Sequence, residues 1–371
     1  MSNSSIYTNP RARTWTHTYD TDISLAQAFH KRLPGYRETS LVPLGDLAKE
    51  LNVKAIFVKD ESSRLGLPSF KILGASWGTF RAIAEKHGLG LDSTLEDVSE
   101  AARKSATILF AATEGNHGRA VARMGKILDI PVRIFMSRFA DRETCQKIES
   151  EGAEVTVLSG NYDDAVSMAF QESQQAPSGL LIQDNAFDGY EQIPAWIVEG
   201  YSTLLAEVEQ QLRAQKLEAT VIVTPIGVGS LGHSVAAFCK SSGRQIRVVA
   251  VEPKTAACLH ENLKSSKWST IETSATVMNG MNCGTVSPIS WPILSEAVDV
   301  SITITDLECH GSVQYLHAHG VNAGPCGAAA LAAIRKVDSA DPLLAGLQKD
   351  AVIVLLSTEG SRPYVPPSMA S

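Results

Sequence analysis

Lys71 ends the stretch Gly66-Leu67-Pro68-Ser69-Phe70-Lys71, and far downstream a strand-like run opens onto Gly227-Val228-Gly229-Ser230-Leu231-Gly232. The first offers a primary amine that can attack a carbonyl carbon. The second offers backbone N–H groups at the start of a helix, which suit a phosphate. A third stretch, Thr113-Glu114-Gly115-Asn116-His117-Gly118-Arg119, is polar and glycine-rich where another strand ends. An amine and an anion cradle together suit a small ligand that carries both an aldehyde and a phosphate. Each piece has a plainer reading in isolation. Most lysines are solvated surface charges, most glycine loops are turns, and Asn116 with His117 makes an ordinary helix start with a satisfied histidine.

The glycine loop also has a rival ligand. Gly227, Gly229 and Gly232 satisfy the dinucleotide fingerprint, and Glu252 follows at the end of a strand where a ribose-binding acid would stand. Read by itself, this segment favours a nucleotide, with a ligand-free turn second. That reading leaves Lys71 and the loop at Gly115–Gly118 without a role. Lys71 is followed by Ile72, Leu73, Gly74 and Ala75, whose small members permit close approach of a flat ring. Partial burial there is expected to lower the amine's pKa. Asp184 and Asp188 follow a further strand, and as an isolated pair they read as a turn with Asx hydrogen bonds. Cys309, His310, His317 and His319 match no zinc spacing and read as helix-surface residues.

The elements that must position these residues alternate as in an α/β protein with parallel sheets. Strands are predicted at 55–59, 107–111, 132–136, 154–158, 180–183, 221–224, 246–251 and 351–356. Helices are predicted at 70–86, 117–128, 142–151 and 190–212. The polar run 87–105 reads as an inserted helix or surface excursion. Residues 265–290, rich in Ser, Thr, Asn and Gly, read as an ordered loop over a site, and the tail after Gly360 as irregular.

The 371 residues suffice for two domains or one large α/β unit. Thirty-three basic residues against 40 acidic ones give a net charge of −7 without a block of one sign, which argues against a nucleic-acid stripe or an anionic-membrane surface. A small anion must therefore be held by local dipoles. No apolar run reaches a membrane span. The N-terminus shows no secretory pattern, and the six cysteines form no paired spacing. The chain is expected to be soluble and cytoplasmic.

Taken in order, these segments resemble the tryptophan-synthase-like, fold-type-II enzymes that use pyridoxal 5'-phosphate. The carriers are Ser69-Phe70-Lys71, Gly115-Asn116-His117-Gly118, the loop Gly227–Gly232, Gly324-Pro325-Cys326-Gly327 with its alanine run, and Leu356-Ser357-Thr358-Glu359-Gly360. The resemblance runs from about residue 31 to 360. Within that group the chain is most similar to the diaminopropionate ammonia-lyases, through Leu33-Pro34-Gly35-Tyr36, Lys59-Asp60-Glu61-Ser62, Asn161-Tyr162-Asp163-Asp164, Gln183-Asp184 with Gly189-Tyr190, and Ile193-Pro194 with Trp196. The resemblance implies two α/β domains with mainly parallel twisted sheets. The large cofactor-binding domain would be 1–71 with 182–371, and 72–181 a small mobile domain that closes when substrate arrives. It implies that Lys71, with Phe70 beside it, holds the cofactor's aldehyde and Asn116 its hydroxyl. The amides of Gly227, Val228, Gly229, Ser230 and Leu231 would hold its phosphate. Ser357, or Thr358 one position on, would face the ring nitrogen. Asp184 would serve as acid or base near the substrate Cα, its pKa raised by burial from roughly 3.9, with Lys71 competing for the same proton. The implied reaction is loss of a β-amino group from a small amino acid, giving pyruvate and ammonia. Serine or threonine dehydration, racemisation and β-substitution are the sister chemistries, and a homodimer is the implied assembly.

Three positions depart from the pattern. Glu114 stands where aspartate is usual, Ser40 where proline is usual, and Pro325-Cys326 where Glu-Ser is usual. The extra methylene of Glu114 displaces its carboxylate, and about 1 Å of misplacement can cost on the order of a hundredfold in rate. Glu114 thus points to a different substrate, a different enantiomer, or a role in structure alone.

Overall fold

Parallel strands buried on both faces appear in sequence as apolar runs, and Val221–Pro225 and Val352–Ser357 are buried at every position. They lie side by side at the centre of a seven-stranded sheet. The computed structural model describes residues 5–17, 23–241, 243–337 and 349–368. Among these, the chain divides into two units. One draws on Met1–Asp22, Arg37–Phe70 and Leu204–Ser371, the other on Ile23–Tyr36 and Lys71–Thr203.

In the first unit the strands are β1 (Ile6–Thr8), β2 (Leu41–Pro43), β3 (Ala55–Asp60), and then, after the four strands of the second unit, β8 (Val221–Pro225), β9 (Arg247–Pro253), β10 (Val300–Ile304) and β11 (Val352–Ser357). Their order is β1-β10-β9-β8-β11-β3-β2, parallel except for the two edge strands. Pro43, which has no N–H to give, sits on an edge strand. The chain turns away in both directions from the β8–β11 pair, so the carboxyl ends of these strands flank a topological switch point, where open α/β sheets bind ligands. The glycine loop leaves the end of β8, and Ser357 ends β11 in register with Asp60 of β3.

The segment from β3 to Lys71 is pinned from two sides. Glu61 N–H donates to the Ser357 carbonyl at 2.9 Å, and Gly360 N–H donates to that of Pro68 at 2.8 Å. Beneath it lies a buried ion cluster. Arg64 donates to Glu61 at 2.6 Å and 2.7 Å and to Glu207 at 2.7 Å and 2.8 Å, and Lys59 donates to Glu207 at 2.7 Å. Charges taken out of water persist only when their hydrogen bonds are met this fully.

In the second unit β4 (Ile108–Ala112), β5 (Val132–Met136), β6 (Glu154–Val157) and β7 (Gly179–Leu181) form an all-parallel sheet in the order β6-β5-β4-β7. Its switch point lies between β4 and β7, whose carboxyl ends lead to Glu114 and Asp184. The helix Lys71–Lys86 packs against the helix Gln192–Ala214 along glycines. A Cβ on Gly74 would stand 2.6 Å from the Tyr201 ring and 2.7 Å from Ile197, and one on Gly200 would stand 2.5 Å from the Leu73 carbonyl oxygen. Gly74 therefore serves helix packing. Only residues without a Cβ let the two backbones lie this close.

The mainly parallel, twofold α/β organisation expected from sequence is present. The polar run after 86 contains a helix, Leu95–Lys104, opened by a Thr94–Asp97 capping box. The 265–290 stretch is ordered through Ile271 N–H to the Gly284 carbonyl at 2.9 Å and Trp268 Nε1–H to that of Val286 at 2.8 Å. Strands β1, β2 and β10 went unread in the sequence. No helix among the described residues is long and apolar enough to cross a membrane.

Candidate active site

Lys71 is the first residue of its helix, and its ammonium contacts the Asp184 carboxylate, with the two side chains 19% and 7% exposed. Asp184 sits just past β7, where the chain has left the sheet. Burial alone would raise its carboxyl. The Lys71 ammonium outweighs that and holds it well below the usual carboxylate range. The expectation of a raised Asp184 is thus reversed in this state, because the charge that sequence cannot place lies against it. The reversal is conditional on that charge. Once Lys71 becomes neutral, burial is the main influence left and the carboxylate becomes a stronger base.

His117 adds a third group. Its Nε2 lies 2.8 Å from the Ile182 carbonyl, which can only accept, so Nε2 carries the proton. Its Nδ1 has no hydrogen bond among the described residues and faces Asp184 Oδ2 at 3.8 Å. Burial lowers the ring's pKa, so the imidazole is neutral. In the sequence this histidine was indistinguishable from a satisfied helix residue. Asn116 opens the helix Asn116–Leu128 and is half-buried. The turn before it is held by the Thr113 hydroxyl, which accepts from Gly115 N–H at 2.9 Å and Gly118 N–H at 3.0 Å. Glu114 is more exposed. Partial burial raises its carboxyl, although Ser137 donates to it from both hydroxyl and amide. Asp188 takes the plainer role and lies exposed in the turn between Phe187 and Tyr190.

In the first unit the glycine loop leads into the helix Ser230–Cys239. Gly229 precedes it with φ +95°, and no side chain caps its first amides. A Cβ on Gly227 would stand 2.9 Å from the Gly280 carbonyl oxygen, and one on Gly232 would stand 2.4 Å from Ile226. The start of this helix is thus left without a side-chain cap from its N-cap residue, as suits phosphate binding. Phe70 is buried, and its N–H donates to the Thr358 carbonyl at 3.4 Å. Among the described residues Ser357 Oγ is buried without a hydrogen-bond partner. Gly327, in the helix Pro325–Arg335, leaves it room: a Cβ there would stand 2.9 Å from that oxygen. A buried hydroxyl with nothing to bond suits a ring nitrogen, so the residues present fit pyridoxal phosphate at both of its polar ends.

The nicotinamide alternative fails on Glu252. Its carboxylate is fully buried and accepts the N–H groups of Leu259 and His260 at 2.8 Å and 2.7 Å, capping the helix Cys258–Ser265. Burial pushes its pKa up to about 7. No ribose can reach it. His310 pairs with Tyr364, and His317 and His319 bond backbone carbonyls. Among the described residues no His, Cys, Asp and Glu group is placed to hold a metal.

Comparison with known proteins agrees. The chain is 33% identical over 350 residues to the diaminopropionate ammonia-lyase of Escherichia coli K12, covering 91% of this chain and 87% of that one. Crystal structures of the E. coli enzyme superpose with a TM-score of 0.85 at 31% identity, covering 96% of this chain and 93% of theirs. One is a complex with an aminoacrylate-PLP azomethine reaction intermediate, another a complex with D-serine. The model of the pyridoxal-phosphate dependent enzymes matches residues 32–359, and the chain belongs to that family.

Proposed function

We propose that this protein is a pyridoxal-phosphate-dependent ammonia-lyase that removes the β-amino group of 2,3-diaminopropionate, or of a close β-substituted amino acid, to give pyruvate and ammonia. The observation that carries the reading is the buried Lys71–Asp184 pair, in a chain similar over most of its length to diaminopropionate ammonia-lyase. When bound, the cofactor withdraws electrons from the substrate Cα, making its proton acidic and its carbanion tolerable.

The chain's own residues do the rest. Lys71 Nζ holds the cofactor's carbonyl carbon, with Phe70 beside it and Asn116 on the ring hydroxyl. The amides of Gly227, Val228, Gly229, Ser230 and Leu231 hold the phosphate, supported by the uncapped start of the helix Ser230–Cys239. Ser357 faces the ring nitrogen, and the lack of any other partner for its Oγ favours it over Thr358. A neutral hydroxyl there protonates the ring less firmly than a carboxylate, which favours fast loss of a β-substituent. Asp184 takes the Cα proton, and Lys71 Nζ is the second candidate for it. Glu114, whose carboxyl partial burial raises, is our candidate for the acid that returns a proton to the departing amine. A homodimer in the cytoplasm is the assembly carried by the resemblance, and sedimentation tests it.

The deciding experiment is a pyruvate-release screen over both enantiomers of diaminopropionate, serine and threonine. Borohydride reduction and peptide mass mapping accompany it. Pyruvate from diaminopropionate, cofactor fixed on Lys71 and an inactive Lys71→Ala variant are expected. Normal turnover by Lys71→Ala refutes the reading.

A further inference from the structure

Asp184 stands two residues beyond Ile182, where backbone pairing stops. Ile182 N–H still donates to the Phe110 carbonyl at 2.7 Å, as β7 ends against β4. From there side chains replace the sheet. The Gln183 side chain, with the whole residue at 0% exposure, accepts the Ala112 N–H at 3.0 Å, the last donor of β4. Its Nε2 donates to the Tyr162 hydroxyl at 2.8 Å. The Gln183 N–H donates to the Tyr190 hydroxyl at 2.9 Å, and that hydroxyl donates onward to the Leu181 carbonyl at 2.6 Å. One phenol thus closes both polar groups left open where the strand ends.

Tyr190 is itself fixed. Its N–H donates to the Phe187 carbonyl at 2.8 Å across a turn containing Gly189 at φ +75°. Its ring stacks on Phe187 with centroids 4.8 Å apart, and Phe187 stands edge-on against Phe170 at 5.4 Å. None of these bonds uses the Asp184 carboxylate. The network immobilises the residue before it and leaves the carboxylate for Lys71.

We propose that Tyr190, acting with the Gln183 carboxamide and the Tyr162 hydroxyl, is a positioning residue that holds Asp184 against Lys71 and so sets the geometry of proton transfer at the substrate. The proposal rests on the elimination reading for its catalytic meaning but not for its structural content. A hydroxyl serving the backbone alone would give stability and nothing else. A positioning hydroxyl sets where the Asp184 carboxylate lies, and a displacement of about 1 Å is worth on the order of a hundredfold in rate.

Two readouts separate these cases. In cofactor-free protein with 13C-labelled aspartate carboxyls, the Asp184 signal is identified by its loss in Asp184→Asn and titrated. In Tyr190→Phe, which keeps the ring and its stacking, the midpoint is expected to rise by at least one pH unit as the Lys71 contact loosens. Tyr162→Phe is expected to shift it in the same direction by less, and it decides the matter where Tyr190→Phe does not fold. Tyr364→Phe removes a hydroxyl bonded to His310 and is the control, with no shift. In the loaded enzyme Tyr190→Phe is expected to lower kcat roughly 10- to 100-fold with KM changed less than about threefold. An unchanged Asp184 midpoint in both variants overturns the proposal. A shifted midpoint in a protein that releases no pyruvate upholds the positioning and counts against the elimination reading alone.

Discussion

Gly327 decides a contest between two opposed effects. It lies inside the helix Pro325–Arg335, where replacing glycine with alanine ordinarily stabilises by about 0.5–1 kcal/mol through chain entropy. Here the added Cβ would stand 2.4 Å from the Glu359 carbonyl oxygen and 2.9 Å from Ser357 Oγ. The first is a backbone atom and cannot turn aside. A carbon and an oxygen rest in contact near ~3.3 Å, so close to 1 Å of backbone movement is needed. Overpacking of that kind costs about 1–3 kcal/mol and outweighs the helix gain. Gly327→Ala is therefore expected to lose about 1–2 kcal/mol in urea unfolding of the cofactor-free protein. The same movement carries Ser357 with it, so affinity for pyridoxal phosphate, read by fluorescence titration, should fall at least tenfold. A variant as stable as the parent, with parental affinity, refutes both the close approach and the placement of Ser357.

Two further substitutions probe groups whose sign is set by burial. Glu252 keeps its proton up to about 7 when folded, whereas an unfolded glutamate releases it near ~4.3. Between these values the folded state binds the extra proton, so stability falls as pH rises. Glu252→Gln is expected to flatten that loss, worth on the order of 3 kcal/mol, in urea midpoints measured from pH 4.5 to 7.5. An unchanged slope would show the carboxylate ionised inside the protein. Ser357→Ala removes a buried hydroxyl that has no partner, so the cofactor-free protein should gain up to about 1 kcal/mol in thermal unfolding. The same change should weaken cofactor binding by several-fold. Opposite movement of the two is the mark of a group kept for a ligand, and a loss in both sinks that role.

The fold was legible wherever burial writes itself into composition. Strands β8 and β11 read as largely apolar runs because both are buried at every position, and the alternation of elements gave the parallel class. Strand β10 escaped because its alternating Val300-Ser301-Ile302-Thr303-Ile304 suggests a half-exposed face, yet Ser301 is buried and meets the His260 ring at 3.0 Å. The edge strands β1 and β2, three residues each, are too short to show a period. At the site, Lys71 and the glycine loop were readable because their chemistry needs rare local sequence. The Asp184 ionisation was not, since it depends on a charge 113 positions away in the chain. Nor was the occupation of Glu252 by two amides of the helix that follows, which a fingerprint of glycines and one acid has no means to express. Gln183 and Tyr190 were visible as a motif, but their function lies in bonds made after the strand ends.

The glycine seam beneath Lys71 has a consequence for how the amine behaves over time. Side chains that separate two helices can hop between rotamers and let the helices slip by fractions of an ångström. Where Gly200 meets the Leu73 carbonyl and the Gly74 Cα, main chain lies on main chain and that cushion is absent. The platform carrying the nucleophile is therefore built without moving parts, and its amide hydrogens should be among the slowest in the protein to exchange with heavy water.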